Sequence, residues 1–408
     1  MRLLQKQRFV RDVGQGGTRT VYPPVTLDDR VIFPTQTTFE VYGSNGAFVS
    51  SVPSGTPVRS GVAAGDFDQD GLCDLYFCTL EGTNALFRNL GDWKFQDVTA
   101  AAGVACTHLE SRGAAFADVN GDGWPDLIVT SLLGPNACLR NDGQGRFTDV
   151  TEAAGLVLPR AGCESLALGD VDGDGDLDLY ITNNGDNSLL RSGGVFAIRM
   201  VGGKPVVSGR HAQRLRIVGG LLLELGPPDA LYLNDGRGQF TLASWTDGRF
   251  RTAEGQPLKD APRDLGLSVT IRDLNGDGAP DLYVCNDFQT PDRVWLNDGR
   301  GHFRALPDLA IRTTPHFSMA VDVADMDRDG HDDIMLSDML SRFQRLRMTQ
   351  IGANNPPREH LGEITDRHQA RRNVLLWNRG DGTYADLANF AGAGVLLISS
   401  ELEELIGL

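Results

Sequence analysis

The chain has 408 residues, of which 41% are hydrophobic, and 54 acidic residues against 38 basic ones give a formal net charge of −16. The acidic excess argues against a nucleic-acid-binding protein, because phosphate recognition requires clustered lysine and arginine, and it suits a cation binder better. No stretch reaches the ~20 apolar residues of a membrane-spanning helix, and the first ten residues lack the apolar run of a secretory signal, so we expect a chain that does not insert into a membrane.

The six cysteines follow neither a metal-binding nor a disulfide-framework spacing. Cys78 and Cys285 occupy equivalent places in two repeats, so we do not expect them to meet, and the redox compartment is left open. The cysteines are Cys73, Cys78, Cys106, Cys138, Cys163 and Cys285.

Residues 1–60 are predicted to supply a closing strand and an irregular β segment. The sequence from Phe9 to Val13 matches Phe95 to Thr99, which ends a repeat farther along the chain. A propeller usually closes its ring by mixing N- and C-terminal strands in one blade. Because the C-terminal tail, 391–408, is short, either the ring is truncated or residues 21–58 fill the gap with three or four irregular strands.

An aspartate-rich motif, D-x-[DN]-x-D-G-x-x-D, occurs five times in the chain. The copies begin 52, 52, 103 and 52 residues apart, so one long insertion interrupts a constant period. A fixed period of this size is typical of repeat folds. The motifs, which we call loops 1 to 5, are residues 66–74, 118–126, 170–178, 273–281 and 325–333.

The same four predicted strands surround each motif. A stretch of small apolar residues precedes it, and a β-type run such as Asp74-Leu-Tyr-Phe77 begins at its last aspartate. A third run ends in a turn such as Asn141-Asp-Gly143, whose residues tolerate positive φ. The pattern predicts an all-β propeller at 61–390, built from four-stranded antiparallel blades, with five clear repeats, six or seven blades in all and the loops on one face. The fourth strands are predicted to begin at Phe95, Phe147, Phe240, Phe303 and Tyr384.

The motif has the ligand set that calcium prefers. Ca²⁺ takes six to eight oxygen ligands, and alternating acidic residues in a tight loop direct successive carboxylates to one centre. Positions 1, 3, 5 and 9 supply side chains, position 7 supplies a backbone carbonyl, and glycine at position 6 permits the sharp turn. The predicted ligands are Asp66, Asp68, Asp70, Leu72 and Asp74; Asp118, Asn120, Asp122, Trp124 and Asp126; Asp170, Asp172, Asp174, Asp176 and Asp178; Asp273, Asn275, Asp277, Ala279 and Asp281; and Asp325, Asp327, Asp329, His331 and Asp333.

Three other interpretations of the motif are less suitable. An EF-hand needs a bidentate glutamate at position 12, which is apolar in all five copies. A turn without metal does not require three or four carboxylates held together against their repulsion. Magnesium resists full dehydration and is poorly suited to an all-protein site. We therefore predict up to five Ca²⁺ ions, which would change the formal charge from −16 to −6.

These residues resemble the FG-GAP/VCBS repeat family of integrin α-subunit propellers and bacterial secreted proteins. The loop, the Asp-Leu-Tyr strand and the Asn-Asp-Gly turn recur together over about residues 60–390, and they are most similar to the branch that accompanies ASPIC/UnbV domains and cartilage acidic protein. The resemblance implies a β-propeller with calcium in the loop between the first two strands of each blade. It also implies an extracellular, cell-surface or periplasmic location.

Two insertions, the first arm at about 192–228 and the second arm at about 341–372, separate second from third strands. Because antiparallel strands alternate in direction, both arms are expected on the face opposite the calcium loops. Each arm has a net charge of +4. The arms either form a docking surface for an acidic protein or polysaccharide, or fold down and offset acidic surface nearby. The basic residues are Arg199, Lys204, Arg210, Arg214 and Arg216 in the first arm and Arg342, Arg345, Arg347, Arg358, Arg367, Arg371 and Arg372 in the second.

The sequence favours a non-catalytic function. No nucleophile elbow, HExxH motif or phosphate-binding loop occurs, and the suggestive acidic pairs already belong to the five loops. We therefore predict a calcium-binding scaffold for protein or glycan interaction or adhesion, in which calcium is structural. A carbohydrate-active hydrolase or lyase and a structural spacer of a longer exported protein remain the alternatives.

Overall fold

The computed structural model describes residues 61–157, 162–185, 196–210, 212–218, 221–288, 290–339 and 367–387. Between residues 25 and 53 it describes the backbone of four strands. The strand predicted at Phe9–Val13, the tail at 391–408 and most of the second arm lie outside these residues.

An antiparallel sheet with its strands in sequence order lies within the segment where the sequence predicted three or four irregular strands. Its strands are β1 (Val25–Leu27), β2 (Arg30–Pro34), β3 (Thr38–Gly43) and β4 (Phe48–Pro53).

Five further antiparallel sheets, blades A to E, follow along the chain, and each keeps its four strands in sequence order. Blade A has β5 (Val62–Gly65), β6 (Asp74–Phe77), β7 (Ala85–Asn89) and β8 (Phe95–Asp97), and helix α1 (Thr99–Ala102) follows it. Blade B has β9 (Ser111–Ala117), β10 (Asp126–Ser131), β11 (Ala137–Asn141) and β12 (Phe147–Asp149).

Blade C is interrupted by the first arm. Its four strands are β13 (Cys163–Gly169), β14 (Asp178–Asn183), β19 (Ala230–Asn234) and β20 (Phe240–Leu242). The arm consists of the hairpin β15 (Ala197–Val201) and β16 (Lys204–Ser208), a 3-10 helix at Ala212–Arg214, and the hairpin β17 (Leu215–Val218) and β18 (Leu221–Glu224).

Blade D has one additional strand in parallel with its fourth strand, and a separate parallel strand pair accompanies blade E. Blade D has β22 (Gly266–Arg272), β23 (Asp281–Asn286), β24 (Arg293–Asn297) and β25 (Phe303–Ala305), and β21 (Phe250–Arg251) pairs with β25. Blade E has β27 (Ser318–Ala324), β28 (Asp333–Asp338), β30 (Val374–Asn378) and β31 (Tyr384–Asp386). Strand β26 (Thr313–Pro315) pairs with β29 (His368–Ala370).

The prediction of an all-β chain built from four-stranded antiparallel blades is confirmed. In every blade the second strand begins at the last aspartate of a loop, and the fourth begins at the predicted aromatic residue. The total number of blades and the closure of a ring stay predictions.

Burial follows the order of strands within each blade. The second strands β10, β14 and β23 are buried along their whole length, which explains their continuous apolar sequence. The first strands carry small residues because neighbouring blades approach closely there. A Cβ atom at Gly65 would lie 2.9 Å from the Phe116 side chain, and one at Gly169 would lie 2.7 Å from Ile271.

The described chain divides into two compact units, each with its own core. The first unit contains blades A and B, and its core includes Tyr76, Leu127 and Phe147. The second contains blades D and E and most of blade C, and its core holds an aromatic cluster in which Phe250 stacks on Phe303 at 5.1 Å between ring centroids. No helix of the described residues is long and apolar enough to cross a membrane.

Candidate metal centres

Each of the five loops joins the first and second strands of its blade and is shaped by the aspartate at position 1. That carboxylate accepts a hydrogen bond from the backbone N–H of the glycine at position 6, at 2.8–3.0 Å in all five loops. These glycines have φ values between 87° and 96°, a region that residues with a Cβ rarely adopt. The position-1 and position-6 residues therefore fix the turn together.

The aspartate at position 5 stabilises the second half of each loop. Its Oδ1 accepts a hydrogen bond from the N–H of position 7 at 2.9–3.0 Å in every loop. In loops 2 and 5 the position-7 side chain packs over a glycine in the turn after the third strand. A Cβ at Gly143 would lie 2.6 Å from Trp124 Nε1, and one at Gly380 would lie 2.6 Å from His331 Nε2.

The aspartate at position 9 is buried and anchors the loop to its own blade. In loop 4, the two oxygens of Asp281 accept the N–H groups of Leu274 and Asn297 at 3.0 and 2.8 Å. Loops 1, 2 and 5 show the same pair of bonds. Burial raises the pKa of Asp281 and of Asp74 to about 7 and that of Asp126 to about 6, with the backbone hydrogen bonds opposing the shift.

In two of the loops an oxygen of the position-3 aspartate is left without a hydrogen bond. Asp68 Oδ1 in loop 1 and Asp172 Oδ1 in loop 3 are buried atoms without a hydrogen-bond partner. Burial, together with neighbouring aspartates, raises the pKa of Asp172 above its ordinary value. A buried carboxylate oxygen without a donor is costly, and a bound cation would satisfy it.

Three of the loops gather carboxylates closely enough to share one ion. One oxygen from each of three aspartates lies within 4.8 Å of the others in loops 1, 3 and 5. The oxygen-only donor set fits a hard cation such as Ca²⁺. The clustered residues are Asp66, Asp68 and Asp70; Asp170, Asp172 and Asp178; and Asp325, Asp327 and Asp333.

Loops 2 and 4 differ because asparagine replaces aspartate at position 3. The side-chain nitrogen of Asn120 donates to Asp122, and that of Asn275 donates to Asp277, both at 2.9 Å. Each of these loops therefore has one carboxylate fewer, and the amide gives the position-5 aspartate a hydrogen-bond donor. The five predicted sites are alike in backbone structure and unlike in the charge they present.

An asparagine at the end of each third strand has a function that sequence reasoning missed. We had assigned Asn141 to a turn with positive φ, but the positive φ values of that turn fall on Gly143 and Gly145. Its side-chain nitrogen instead donates to the carbonyl at position 2 of the loop in the preceding blade. The recurrence of asparagine in all five repeats was the available signal. These clamp bonds are Asn141 to Phe67 (2.9 Å), Asn234 to Val119 (2.8 Å), Asn297 to Val171 (2.8 Å) and Asn378 to Leu274 (3.3 Å).

A second recurring residue joins the strands at the opposite end of each blade. The residue immediately before the third strand is Asn84, Asn136, Asp229, Asp292 or Asn373, and we call these the junction residues. In every blade the junction side chain accepts a backbone N–H from the end of the second strand, at 2.8–3.1 Å. They too recur at one place in each repeat, which is the signal that the sequence offered.

The two acidic junction residues are buried and carry shifted pKa values. Asp292 accepts hydrogen bonds from Tyr283 Oη at 3.0 Å and Ser318 Oγ at 2.8 Å. Desolvation raises the pKa of Asp292 and of Asp229 to about 7, against the lowering effect of these donors. In blade A, Asn84 makes the corresponding contacts with its nitrogen, to Tyr76 Oη and Ser111 Oγ, both at 2.8 Å.

The sequence model of the FG-GAP-like repeat family matches residues 66–129, 118–181 and 273–336, and the three matches together include all five loops. The chain therefore contains FG-GAP-like repeats. It is 29% identical to human cartilage acidic protein 1 over 191 residues, which are 46% of this chain and 26% of that protein.

The cartilage acidic protein 1 of Mus musculus is 28% identical over 191 residues, or 46% of this chain and 27% of that protein. The one of Xenopus tropicalis is 29% identical over 127 residues, or 30% and 19%. The chain thus spans about a quarter or less of the length of these curated relatives. A solved structure of an Agrocybe aegerita lectin that recognises non-reducing terminal N-acetylglucosamine aligns with a TM-score of 0.45 and 16% identity, over 90% of this chain and 78% of that one.

Proposed function

We propose that the chain is an interaction scaffold whose loops bind calcium as a structural ion. The observation that carries this proposal is the grouping of three carboxylates in each of loops 1, 3 and 5. In loops 1 and 3 the group includes an oxygen without a hydrogen-bond partner, that of Asp68 or Asp172. Such a grouping is costly without a cation, because like charges repel and the buried oxygens have lost their water.

Calcium bound in a loop would stabilise the packing of neighbouring blades. The loop carbonyl at position 2 is the acceptor of the clamp asparagine from the following blade. An ion that holds the loop in one conformation would therefore also hold that acceptor in place. Metal binding of this kind contributes directly to the free energy of unfolding.

An extracellular or cell-surface location suits these sites. Calcium modules outside the cell work at dissociation constants of about 10⁻⁴–10⁻³ M, which exposed loops of this kind can supply. The relatives are named for cartilage, a tissue that consists largely of extracellular matrix, and this name supports the same location. The six cysteines form no disulfide with one another, and burial raises the pKa of Cys138 to about 12, so this thiol is poorly reactive.

We further propose that the first arm docks an acidic protein or polysaccharide. The hairpin of β15 and β16 is exposed along almost its whole length, and it presents Arg199 and Lys204 on an otherwise acidic protein. Arg210 and Arg216 are exposed nearby. The arm leaves blade C after the second strand, at the end opposite loop 3. Complementary charge of this kind favours association with an anionic partner.

In the described part of the second arm, two of the predicted surface arginines are engaged with the protein itself. Arg367 is 7% exposed, and its guanidinium donates to the carbonyls of Asp292 at 2.7 Å and Ile311 at 2.9 Å. It holds the loop before β29 in place and is not part of a surface patch, which corrects our sequence-based interpretation. Arg372 is paired with Asp386 at 2.6 Å. The remaining arginines Arg342, Arg345, Arg347 and Arg358 lie outside the described residues.

A carbohydrate-active enzyme remains the alternative function. The two best-formed cavities of the described residues have volumes of about 50 and 70 Å³, well below the ~300 Å³ of a typical small-molecule pocket. Asp126 is the single carboxylate among their lining residues, and it belongs to loop 2. Neither cavity offers the paired carboxylates that glycoside hydrolysis uses.

Calorimetric titration of the chelator-treated, dialysed chain with calcium tests the first proposal. We expect heat of binding with a stoichiometry above one and up to five, and much weaker binding of magnesium at the same concentration. Absence of a binding signal with calcium would contradict the proposal.

Retention on a heparin column, an acidic polysaccharide, tests the docking proposal. The test variant replaces Arg199, Lys204, Arg210 and Arg216 with serine. The control variant removes the same charge elsewhere, by serine at the exposed residues Arg140, Arg146, Arg237 and Arg300. We expect the test variant to elute at lower salt than both the control and the wild type. Equal elution of the two variants, or no retention of the wild type, would argue against docking of acidic polysaccharide through the first arm.

A further inference from the structure

The base of the first arm is fixed to the rest of the protein. Arg214 Nη2 and Glu224 Oε1 form an ion pair at 3.1 Å, and these side chains are 21% and 10% exposed. The backbone N–H of Leu225 donates to the carbonyl of Arg214 at 2.7 Å. The backbone N–H of Gly226 donates to the carbonyl of Arg263 at 3.2 Å. The hairpin of β17 and β18 is therefore held against the segment that precedes β22.

The other hairpin of the arm, β15 and β16, is different, and we call it the exposed hairpin. Ile198 is 50% exposed, Met200 is 67% exposed and Val201 is 61% exposed. A two-stranded hairpin is only marginally stable by itself in water, and a third strand stabilises it. A group of exposed apolar side chains is typical of an interaction surface. The exposed hairpin thus has the properties of a sheet that is completed by a partner.

The two faces of the exposed hairpin differ in chemistry. The register of the strands gives one face apolar side chains alone, namely Ile198, Met200, Pro205 and Val207. The other face carries both charges of the hairpin, Arg199 and Lys204, and both are exposed. A strand added to this sheet would therefore need apolar side chains on one face and acidic side chains on the other. Because side chains alternate between faces along a strand, such a segment has alternating acidic and apolar residues.

The two edges of the exposed hairpin are also unlike. Strand β16 contains Pro205, which has no backbone N–H, and a proline at this place blunts an edge against further pairing. Strand β15 contains no proline, and β16 is its only partner in the described sheet. Met200 lies directly opposite Pro205. The edge of β15 is therefore the one that can accept another strand.

The turn of the hairpin shows which N–H groups lie on that edge. Gly202 and Gly203 form a two-residue turn with φ values of 59° and 79°. The residues that flank such a turn form a hydrogen-bonded pair, and the next pair along the strands is not hydrogen-bonded. Met200 belongs to this next pair, so its N–H is directed away from β16 and towards the open edge.

We propose that β15 receives a third strand from a protein partner, an extended segment in which acidic and apolar residues alternate. This inference rests on the proposed docking function of the first arm and names the class of its partner. The added backbone would pair with β15 at Ile198 and Met200. Its acidic side chains would lie beside Arg199, and opposite charges on neighbouring strands are favourable.

Two other occupants fit the exposed hairpin less well. A polysaccharide has no strand backbone, and the hairpin has no aromatic side chain on which a sugar ring could stack. A second copy of β15 would bring Arg199 of one chain close to the basic face of the other, and like charges on neighbouring strands are unfavourable. An acidic protein segment satisfies the charge, the apolar face and the open edge together.

Binding of labelled peptides to the full chain, measured by fluorescence anisotropy, tests the inference. The probe alternates glutamate and valine over about six residues, the length of a typical strand. The control peptide has the same composition with its glutamates and valines in two separate blocks. We expect the alternating peptide to bind at least about fivefold more tightly than the block peptide, because the block peptide cannot match both faces of the sheet.

Substitutions at Met200 test the pairing with the edge. Met200→Pro removes the outward N–H and gives β15 the residue that already blunts β16. It is expected to weaken binding of the alternating peptide about tenfold. Met200→Ala removes the same side chain and keeps the N–H, so it should weaken binding clearly less. Equal losses in the two variants would contradict strand addition.

Charge reversal at Arg199 tests the other face and does not depend on the behaviour of proline in β15. Arg199→Glu is expected to weaken binding of the glutamate–valine peptide about tenfold and to create binding of a lysine–valine peptide. Arg140→Glu is the matched control, because Arg140 is an exposed strand residue of blade B. It is expected to leave the binding of both peptides unchanged. Equal effects of the two reversals would contradict a docking site on the exposed hairpin.

The outcomes separate this inference from the docking function itself. If heparin retention depends on the first arm but the alternating peptide binds no better than the block peptide, docking stands and the inference fails. If vesicles of phosphatidylserine and phosphatidylcholine bind through the arm and neither peptide does, the surface is a membrane contact and the inference fails. If heparin, vesicles and peptides all bind independently of the arm, or do not bind, the docking function fails and the inference fails with it.

Discussion

At one end of each blade, acidic side chains crowd into a nine-residue loop, whereas at the other end a single junction residue joins the second strand to the third. Both ends use side-chain oxygens to hold backbone N–H groups. The loops contain more carboxylate oxygens than internal donors, and atoms such as Asp172 Oδ1 remain unpartnered. At the junctions the donors are sufficient, and Asp292 accepts three hydrogen bonds from within the protein.

This contrast shows that buried acidic groups stabilise the repeat in two physically different ways. A junction aspartate is satisfied by protein donors, and its raised pKa reflects a site that favours the neutral form. In the loops, Asp68 Oδ1 and Asp172 Oδ1 have no hydrogen-bond donor within the protein, and we propose that a bound cation satisfies them. The two kinds of acid should therefore respond differently to substitution, to chelation and to pH.

Asp281→Ala is expected to cause the largest loss, about 3–4 kcal/mol in the free energy of unfolding, because it leaves the N–H groups of Leu274 and Asn297 without partners. Denaturant titration measures this loss. Most of this cost should remain in chelator, since these hydrogen bonds are internal, and the loss of a predicted ligand should add to it in calcium. A loss seen only in calcium would mean that position 9 acts as a metal ligand alone.

Asp172→Ala is expected to lower the free energy of unfolding only when calcium is present. It removes a carboxylate that accepts no donor at Oδ1, so in calcium the variant should lose about 2 kcal/mol of stability through weaker binding. In chelator it should be as stable as the wild type or slightly more stable, because it relieves repulsion within loop 3. The same denaturant titration in both conditions checks this, and equal destabilisation in both would contradict it.

Asp292→Asn is expected to change the pH dependence of stability, by about 2–3 kcal/mol between pH 5 and pH 8. The folded chain holds the Asp292 proton up to a pKa of about 7, well above the ordinary value of ~3.9 in the unfolded chain. The wild type therefore loses stability through this group as the pH rises from about 4 to about 7. The variant has no such proton, and Asn84 shows that an amide fits the same contacts.

The comparison for Asp292→Asn is the difference in unfolding free energy between variant and wild type, measured in saturating calcium at each pH. Variant and wild type have the same loops, so the pH-dependent contributions of the loop carboxylates cancel in this difference. We expect the difference to move in favour of the variant as the pH rises. A difference that is constant with pH, or that moves the other way, would show that Asp292 is ionised throughout.

Much of the fold was predictable because each repeat has the same short sequence signals at the same positions. The starts of the second and fourth strands follow from the position-9 aspartate and the aromatic residue that recur in each copy. The loops could be recognised as candidate metal sites because their chemistry is contained within nine residues. The hydrogen bonds from the position-6 N–H to the position-1 aspartate and from the position-7 N–H to the position-5 aspartate also lie within these nine residues.

The contacts between repeats could not be predicted, since sequence spacing does not show which atoms meet. Asn141 and Phe67 are 74 residues apart, and nothing in the turn sequence around Asn141 indicates a bond to the preceding blade. Arg88 and Arg140 occupy the same place in two repeats, yet only the structure shows Arg88 on two carboxylates of its loop. Arg367 was assigned to a surface patch by composition, although it is buried among backbone carbonyls.

Thermal unfolding of the wild type in calcium and in chelator tests the central claim most directly. If calcium is the structural ion of the loops, calcium should raise the melting temperature by about 10 °C or more, because several sites each add binding free energy to the folded state. Magnesium at the same concentration should raise it much less. Identical melting temperatures in calcium and in chelator would contradict the claim that the loops bind calcium to stabilise the blades.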